Sequence, residues 1–268
     1  MRIDAAKHVA PPFWSSFQKA VNVFTLGEVY DRDPTNVCLY THSLTSVLNY
    51  PTWYSINSTF TNTSQSMMWL TYELAAMDAS CQDTSILGTF SENQDIARIG
   101  SSTQDISLLK NTLAFTIMTN GIPIVYYGAE QGFSGNEDPV NREALWLSGY
   151  NTSSPLYTLV AAANTARNLL SQNATYNYWS PYWTYKTKIV SAQNEMLALR
   201  KGYDKSILTL VTNRGTSSPQ LGPYTIGDTN FDQGDTIVEL LSCASMTVGQ
   251  YGVINVTIPA GGNPMVSA

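Results

Sequence analysis

The sequence is poor in charged side chains and in long apolar runs. Asp, Glu, Lys and Arg make up 13% of its 268 residues, against about 25% in typical globular chains. The formal net charge is −6, and because nucleic-acid binding needs a basic surface, this balance argues against a nucleic-acid partner. No apolar run reaches the ~18 residues that a transmembrane helix requires, so we expect no membrane-spanning segment.

Cysteine is also scarce, and a signal peptide is not visible after Met1. Three cysteines, at positions 38, 81 and 243, allow one disulfide and leave one thiol over. The alternative is three buried thiols that pack as small apolar side chains. The odd number and the missing signal both fit a chain cut from a longer protein.

Sequons for N-glycosylation are comparatively frequent. A single Asn-x-Ser/Thr triplet arises easily by chance in a chain rich in Ser, Thr and Asn. Several such triplets, together with the low charge and the many aromatic residues, favour a secreted product. The candidate asparagines are Asn57, Asn62, Asn151, Asn173 and Asn255.

Apolar runs and amphipathic segments alternate over the first part of the chain. This alternation predicts parallel βαβ units with right-handed crossovers. Beyond about residue 178, short β-rich segments separated by Gly, Asn and Asp predict an antiparallel β-domain. We therefore predict one domain over residues 1–178 and a second over 179–268. In the first domain we expect strands at 1–4, 23–29, 46–50, 85–90 and 122–127, helices at 13–21, 66–78, 106–119 and 155–170, and a polar loop at 55–65.

Three acids follow predicted strands of the first domain. Asp4, Glu28 and Asp95 each stand where an apolar run ends, and in an α/β barrel these strand ends line one face. Two facing carboxylates are the groups that glycoside cleavage uses. Taken singly, each has an ordinary interpretation: a structural ion pair between Arg2 and Asp4, a common Gly-Glu dipeptide, and a polar turn. Three of them in one βα series favour an active site.

The segments around these acids resemble those of the α-amylase family. Residues Arg2–His8 resemble the family's nucleophile segment, Gly27–Val29 its general-acid segment, and Phe90–Asp95 the segment of its third carboxylate. Gly121–Gln131 and Asn136–Ala144 resemble secreted fungal members more closely still. The resemblance covers almost the whole chain and is looser after about residue 180.

Roles for individual residues follow from this resemblance. It implies that Asp4 is the nucleophile, Glu28 the general acid and base, and Asp95 the carboxylate that stabilises the transition state. It also implies that Arg2 keeps Asp4 ionised. Further contacts to substrate are implied for Lys7, His8, Gln94, Asp138 and Arg142.

The resemblance also implies a cofactor and a disulfide. The cofactor is a structural calcium ion that takes the backbone oxygen of His8 as one ligand, and the disulfide joins Cys38 and Cys81. The partner of Cys243 would then lie beyond Ala268. The implied partner is an α-glucan polysaccharide or oligosaccharide. The implied location is extracellular or at the cell wall, and the full-length protein is expected to be monomeric.

The implied fold is a partial (β/α)8 TIM barrel, strands four to eight, followed by an antiparallel β-sandwich. A barrel removes its sheet edges by closing, whereas five strands leave two edges exposed. We therefore expect this chain by itself to be weakly stable or to associate with itself, with little activity.

One departure from the family pattern leaves the reaction open. The family usually has His where this chain has Gln94, and Gln can donate a hydrogen bond but cannot carry a charge. The first hypothesis is a retaining hydrolase of internal α-1,4-glucosidic bonds in starch or glycogen. The alternatives are a 4-α-glucanotransferase that remodels fungal cell-wall α-glucan, and an inactive fragment that at most binds starch.

Overall fold

The computed structural model describes residues 1–172, 180–203 and 207–268. Its first part contains parallel strands that follow one another in chain order. An isolated parallel bridge between Leu48 and Gly88 joins the third strand to the fourth. The described strands of this sheet are β1 Arg2–Ile3, β2 Leu26–Gly27, β3 Ser46–Val47, β4 Gly88–Phe90 and β5 Ile122–Ile124.

Helices follow these strands and cover the sheet. Residues that favour helix starts stand at the beginning of these helices. Pro11 and Pro12 stand in the first turn of α1, and the Asp105 carboxylate accepts from two N–H groups at the start of α6. The described helices are α1 Pro11–Val21, α2 Pro34–Leu39, α3 Tyr50–Phe60, α4 Met68–Ser80, α5 Ile99–Ser102, α6 Ile106–Met118 and α7 Pro155–Gln172.

The predicted polar loop at 55–65 is wrong over its first half, because α3 continues to Phe60. The strand ends at Val47 and not at residue 50 as predicted, because Pro51 stands in the first turn of this helix, where a missing N–H costs nothing. The side chain of Asn49 caps the helix by accepting from Thr52 N. Ile56 and Phe60 are fully buried, so tertiary packing stabilises a segment whose Ser, Thr and Asn content disfavours a helix by itself.

The second part is an antiparallel β-domain, as predicted. One sheet has the order β13-β8-β7-β6, and two further antiparallel pairs, β9 with β12 and β10 with β11, complete it. The described strands are β6 Lys188–Ala192, β7 Met196–Lys201, β8 Ile207–Thr212, β9 Leu221–Ile226, β10 Thr236–Val238, β11 Ser245–Thr247, β12 Ile254–Ile258 and β13 Met265–Ser267.

Alternation of side chains along β7 and β8 divides their apolar residues between two cores. Met196 and Leu210 face β9 and β12 inside the β-domain. Leu197, Leu199 and Val211 face the other way and pack on α3 and α6. The parallel and antiparallel parts therefore share a buried apolar interface. The predicted boundary between residues 178 and 179 lies outside the described residues and stays a prediction.

The predicted disulfide between Cys38 and Cys81 is present, and it links α2 to the end of α4. Cys243 is exposed and has no disulfide partner among the described residues. In the part of the chain that the structure describes, no helix is both long and apolar enough to traverse a bilayer. Three sequon asparagines are exposed, Asn57 is partly buried in α3, and Asn173 lies outside the described residues; the exposed ones are Asn62, Asn151 and Asn255.

Candidate active site

The three acids predicted from the strand ends come together around one arginine. The guanidinium of Arg2 lies 2.8 Å from Asp4 Oδ1, 3.4 Å from Glu28 Oε1 and 4.0 Å from Asp95 Oδ2. The side chains differ in exposure: Asp4 is 75% exposed, Asp95 43% and Glu28 only 13%. The cation compensates part of the repulsion between three carboxylates that share one cleft.

Glu28 is held in place by two hydrogen bonds from other strand ends. Its Oε2 accepts from the N–H of Ala5 at 3.0 Å, and its Oε1 accepts from the hydroxyl of Tyr50 at 3.2 Å. Ala5 adopts a left-handed backbone conformation (φ 49°), a strained geometry that is enriched at functional sites. Burial raises the pKa of Tyr50 far above its usual range, and the charge of Glu28 adds to this. The Tyr50 hydroxyl therefore remains a proton donor at neutral pH.

Backbone pairing between strands fixes the position of Glu28 along the cleft. A Cβ at the preceding residue, Gly27, would lie 2.5 Å from Cδ1 of Leu44, so a larger residue here would have to displace that leucine side chain. The N–H of Glu28 donates to Ile3 O at 2.8 Å. This ladder sets the end of β2 beside the end of β1.

Asp95 lies in a second set of contacts that reaches the loop after β5. It accepts from Gln94 Nε2 at 2.7 Å and from Arg142 Nη2 at 3.4 Å. Arg142 in turn pairs with Asp138 at 2.7 Å. The sequence-predicted residues Gln94, Asp138 and Arg142 are therefore brought to one side of the carboxylate group.

Lys7 and His8 also line the cleft, on a 3-10 turn that follows β1. Lys7 Nζ lies 3.0 Å from Asp31 Oδ2 and donates to Tyr30 O at 2.9 Å. The backbone N–H of Asp33 and, to a lesser extent, the Lys7 ammonium lower the pKa of Asp31. These contacts fix the lysine at the rim of an open cleft of about 530 Å³.

Three contributors to this cleft were not predicted from the sequence. Tyr50 binds Glu28, Asn93 Nδ2 donates to the Tyr50 hydroxyl at 2.9 Å, and Tyr30 lines the wall. Tyr50 is the last residue of the predicted strand at 46–50, so the rule that selected the acids could have selected it. Tyr30 gives no comparable signal, because its contact to Tyr50, with ring centroids 4.6 Å apart, depends on how two loops meet.

A cleft of this kind can protonate and attack a bond that lies between its acids. Glu28 is sheltered and hydrogen-bonded, whereas Asp4 is open to a reacting atom. Comparisons with known proteins agree with this chemistry. The family model for "Alpha amylase, catalytic domain" matches residues 6–199, and that for "Alpha-amylase, domain C" matches residues 189–268.

The chain belongs to the α-amylase family. It is 42% identical over 269 aligned residues to "Alpha-amylase 1" of Schwanniomyces occidentalis, an alignment that covers 100% of this chain and 51% of that protein. "Alpha-amylase" of Saccharomycopsis fibuligera is 39% identical, with 99% of this chain and 51% of that protein covered. The chain spans about half the length of the curated relatives it matches.

A solved α-amylase structure gives the same result in three dimensions. The α-amylase from Malbranchea cinnamomea superimposes with a TM-score of 0.91 at 41% identity, covering 99% of this chain and 55% of the other. The predicted family and the predicted fold class, a partial TIM barrel followed by an antiparallel β-domain, are thereby confirmed. The roles assigned to single residues stay predictions.

Calcium is the cofactor that the α-amylase resemblance implies, and the described residues hold no metal-binding cluster of His, Cys, Asp or Glu side chains for it. Calcium takes six to eight oxygen ligands. Among the described residues, no three His, Cys, Asp or Glu side chains lie together as a metal cluster. The backbone oxygen of His8 would be one ligand only, so no chemical step below involves calcium.

Proposed function

We propose that this chain carries the catalytic groups of a retaining glycoside hydrolase that cleaves internal α-1,4-glucosidic bonds of starch or glycogen. The observation that carries the proposal is the convergence of Asp4, Glu28 and Asp95 on the Arg2 guanidinium. Family membership supports the same chemistry, since the matched relatives are α-amylases by name.

In the first step, an oxygen of Asp4 attacks the anomeric carbon while the bond from that carbon to the glycosidic oxygen breaks. Glu28 gives its proton to the leaving oxygen, so one chain segment departs with a free hydroxyl. The other segment stays attached to Asp4 as a glycosyl ester. Asp95 stabilises the positive charge that develops on the sugar ring, and Arg2 balances the charge of the carboxylates.

In the second step, Glu28 takes a proton from water as the water oxygen attacks the same carbon. The bond to Asp4 breaks, and the carboxylate is released for the next cycle. Two inversions give net retention of configuration. The hydrogen bonds from Ala5 N and Tyr50 keep Glu28 oriented through both proton transfers.

Replacing the acid tests this assignment. Maltoheptaose is incubated with the protein and with its Glu28→Gln variant, and released reducing ends are counted. We expect turnover to fall by about 10²–10⁴-fold, the usual contribution of a general acid, while calorimetric binding of maltoheptaose persists. The Glu195→Gln variant is the control, because Glu195 accepts from Tyr224 in the β-domain. Equal turnover in the Glu28→Gln variant and the parent would contradict the proposal.

Transfer to a sugar rather than to water is the second candidate. The side-chain amide of Gln94 lies 2.7 Å from Asp95, where the family usually has His, and a neutral amide stabilises less charge than an imidazolium. Products longer than the maltoheptaose supplied would favour a 4-α-glucanotransferase. Binding without any turnover would favour the non-catalytic alternative.

The remaining sequence predictions are kept as proposals. They are secretion or cell-wall association, glycosylation at the sequons, and a monomeric full-length protein. Calcium bound through the backbone oxygen of His8 would need further oxygen ligands besides those of the described residues. Weak stability, self-association and low activity of this chain by itself also remain predictions.

A further inference from the structure

A buried arginine lies behind the cleft and takes no part in the reaction described above. The side chain of Arg98 is wholly buried between two carboxylates. Its Nη1 lies 3.1 Å from Glu92 Oε2, and its Nε lies 2.6 Å from Glu143 Oε2. A buried charge is costly unless it is paired and hydrogen-bonded, so this arrangement calls for a role.

Aromatic rings enclose the same guanidinium. It lies 4.3 Å from the ring centroid of Tyr126, 5.3 Å from that of Tyr127 and 5.4 Å from that of Phe133. All three rings follow β5, whereas Glu92 follows β4. Arg98 therefore ties together the loops that leave two neighbouring strands.

Each carboxylate partner fixes a particular stretch of backbone. Glu92 Oε1 accepts from Ile99 N at 2.9 Å. Glu143 Oε1 accepts from Ser134 N at 3.0 Å and from Gly135 N at 2.5 Å. The loop between residues 134 and 143 is thus closed on itself by Glu143 and held to the barrel by Arg98.

The buried cluster connects directly to the cleft through Asn141. Arg98 Nε also donates to Asn141 O at 3.1 Å. The side-chain amide of Asn141, fully buried, donates to Gln94 O at 3.0 Å and to Ile96 O at 2.8 Å. These bonds bracket Asp95, and the residue that follows Asn141 is Arg142, which contacts Asp95.

We propose that Arg98 is a positioning residue that sets Arg142 and Asp138 against Asp95, and thereby builds the part of the substrate cleft on that side. The inference rests on the proposed function, because it assumes that these groups contact an α-glucan. Arg98 itself touches no substrate. Its rigid fork is suited to this task, since it donates to two carboxylates and a carbonyl at once, which a lysine ammonium on a flexible stem does not reproduce.

The test compares Arg98→Lys and Glu143→Gln with a matched control, Arg167→Lys. Arg167 is also largely enclosed and donates to backbone carbonyls, those of Ile117 and Gly121, but it lies at the other end of β5. Hydrogen exchange of the amides in residues 134–143 and the KM and kcat for maltoheptaose are measured for all variants.

For Arg98→Lys and Glu143→Gln we expect exchange in residues 134–143 to accelerate and KM to rise, each by about tenfold, as the loss of one charge-assisted hydrogen bond predicts. We expect kcat to change less than KM. Arg167→Lys should lower the melting temperature while leaving both the exchange of this loop and KM unchanged.

Two outcomes would overturn the inference. One is a lower melting temperature in both site variants with normal loop exchange and normal KM, which is the behaviour of a purely structural arginine. The other is an equal effect on KM in the Arg167→Lys control. If the parent protein neither binds nor cleaves maltoheptaose, the proposed function fails, and loop exchange alone then decides whether Arg98 positions the loop. Should Arg98→Lys not fold, the isosteric Glu143→Gln variant carries the same test.

Discussion

Asp4 in the cleft and Glu239 in the β-domain are carboxylates in opposite environments. In the cleft, Asp4 is mostly exposed, pairs with Arg2 and lies near two further acids. In the β-domain, Glu239 is 2% exposed, and its oxygens accept from three backbone N–H groups, those of Leu241, Ser242 and Val266.

This difference is the one expected between a candidate active-site carboxylate and a carboxylate that only stabilises the fold. The carboxylate oxygens of Glu239 accept hydrogen bonds from main-chain N–H groups and stabilise a turn, so this buried side chain has its hydrogen-bond partners within the fold. The cleft acids repel one another, and their proximity is favourable only when a cation or a developing positive charge lies between them. We therefore expect substitutions in the cleft to lower turnover and substitutions in the core of the β-domain to lower the free energy of unfolding.

The largest expected effect is on turnover and comes from Asp4→Asn. If Asp4 is the attacking carboxylate, as proposed, its loss should lower kcat by at least about 10³-fold. The free energy of unfolding should change by less than about 1 kcal/mol, because an exposed ion pair contributes little. Asp228→Asn is the matched control, since Asp228 is a half-exposed acid paired with Lys188 in the β-domain. Turnover is measured on maltoheptaose. Normal turnover of the Asp4→Asn variant would show that the cleft carboxylates do not differ in function from those of the β-domain.

The reverse effect is expected from Leu210→Ala in the core of the β-domain. Leu210 is 1% exposed, and removing a buried leucine side chain costs about 2–5 kcal/mol. Urea unfolding should record this loss, whereas KM for maltoheptaose should stay unchanged in conditions where the variant is folded. Val238→Ala, at an exposed strand position, should cost far less. A KM that rises along with the instability would mean that the β-domain also shapes the cleft.

A pH-dependent effect is expected at the junction of the two parts. Lys201 is buried on β7 and donates to Asn120 Oδ1 and Tyr185 O. Burial, and after it the charge of Arg167, lowers the pKa of Lys201 from 10.5 to about 7. Between these values the unfolded chain binds the proton more readily than the folded chain, so the free energy of unfolding should rise with pH across this window.

Lys201→Met should remove that rise, because the variant has no proton to lose at this position. Urea unfolding at several pH values between 7 and 10 measures the slope. Lys188→Met, in which a half-exposed lysine is replaced, should keep it. An unchanged slope in the Lys201→Met variant would place the pH dependence elsewhere.

The smallest effect is expected from Tyr50→Phe. The substitution keeps the ring that packs on Tyr30 and Phe90 but removes one hydrogen bond to Glu28. The lost hydrogen bond orients Glu28, and if its loss raises the activation free energy by about 1 kcal/mol, kcat should fall roughly five- to tenfold. Steady-state rates on maltoheptaose measure it, with Tyr224→Phe, a tyrosine bonded to Glu195, as the control. A fall as large as that of Asp4→Asn would make Tyr50 part of the chemistry itself.

Local sequence was sufficient for the five parallel strands, for helices α1, α4, α6 and α7, and for the acids at the strand ends. The short helices α2 and α5 were not predicted. Proline and Asp caps, apolar periodicity and the turn to β-rich segments are encoded over a few residues each. The failure at α3 has the same origin, because its polar composition predicts a loop, and only burial of Ile56 and Phe60 against α6 and β7 makes it a helix. The parallel direction of the strand pairs agrees with the long connections between the strands, which are also a property of the sequence.

The sequence by itself determined that Asp4, Glu28 and Asp95 would end strands at one face, and it carried the resemblance to the family. Only the tertiary structure decided that Arg2 lies among all three, that Tyr50 and Ala5 hold Glu28, and that Arg98 joins the loops behind Asp95. The physical reason is distance along the chain: apart from Arg2 with Asp4 and Arg98 with Glu92, these contacts join residues 22 to 93 positions apart. No local pattern encodes which side chains meet when separate loops close over one sheet edge.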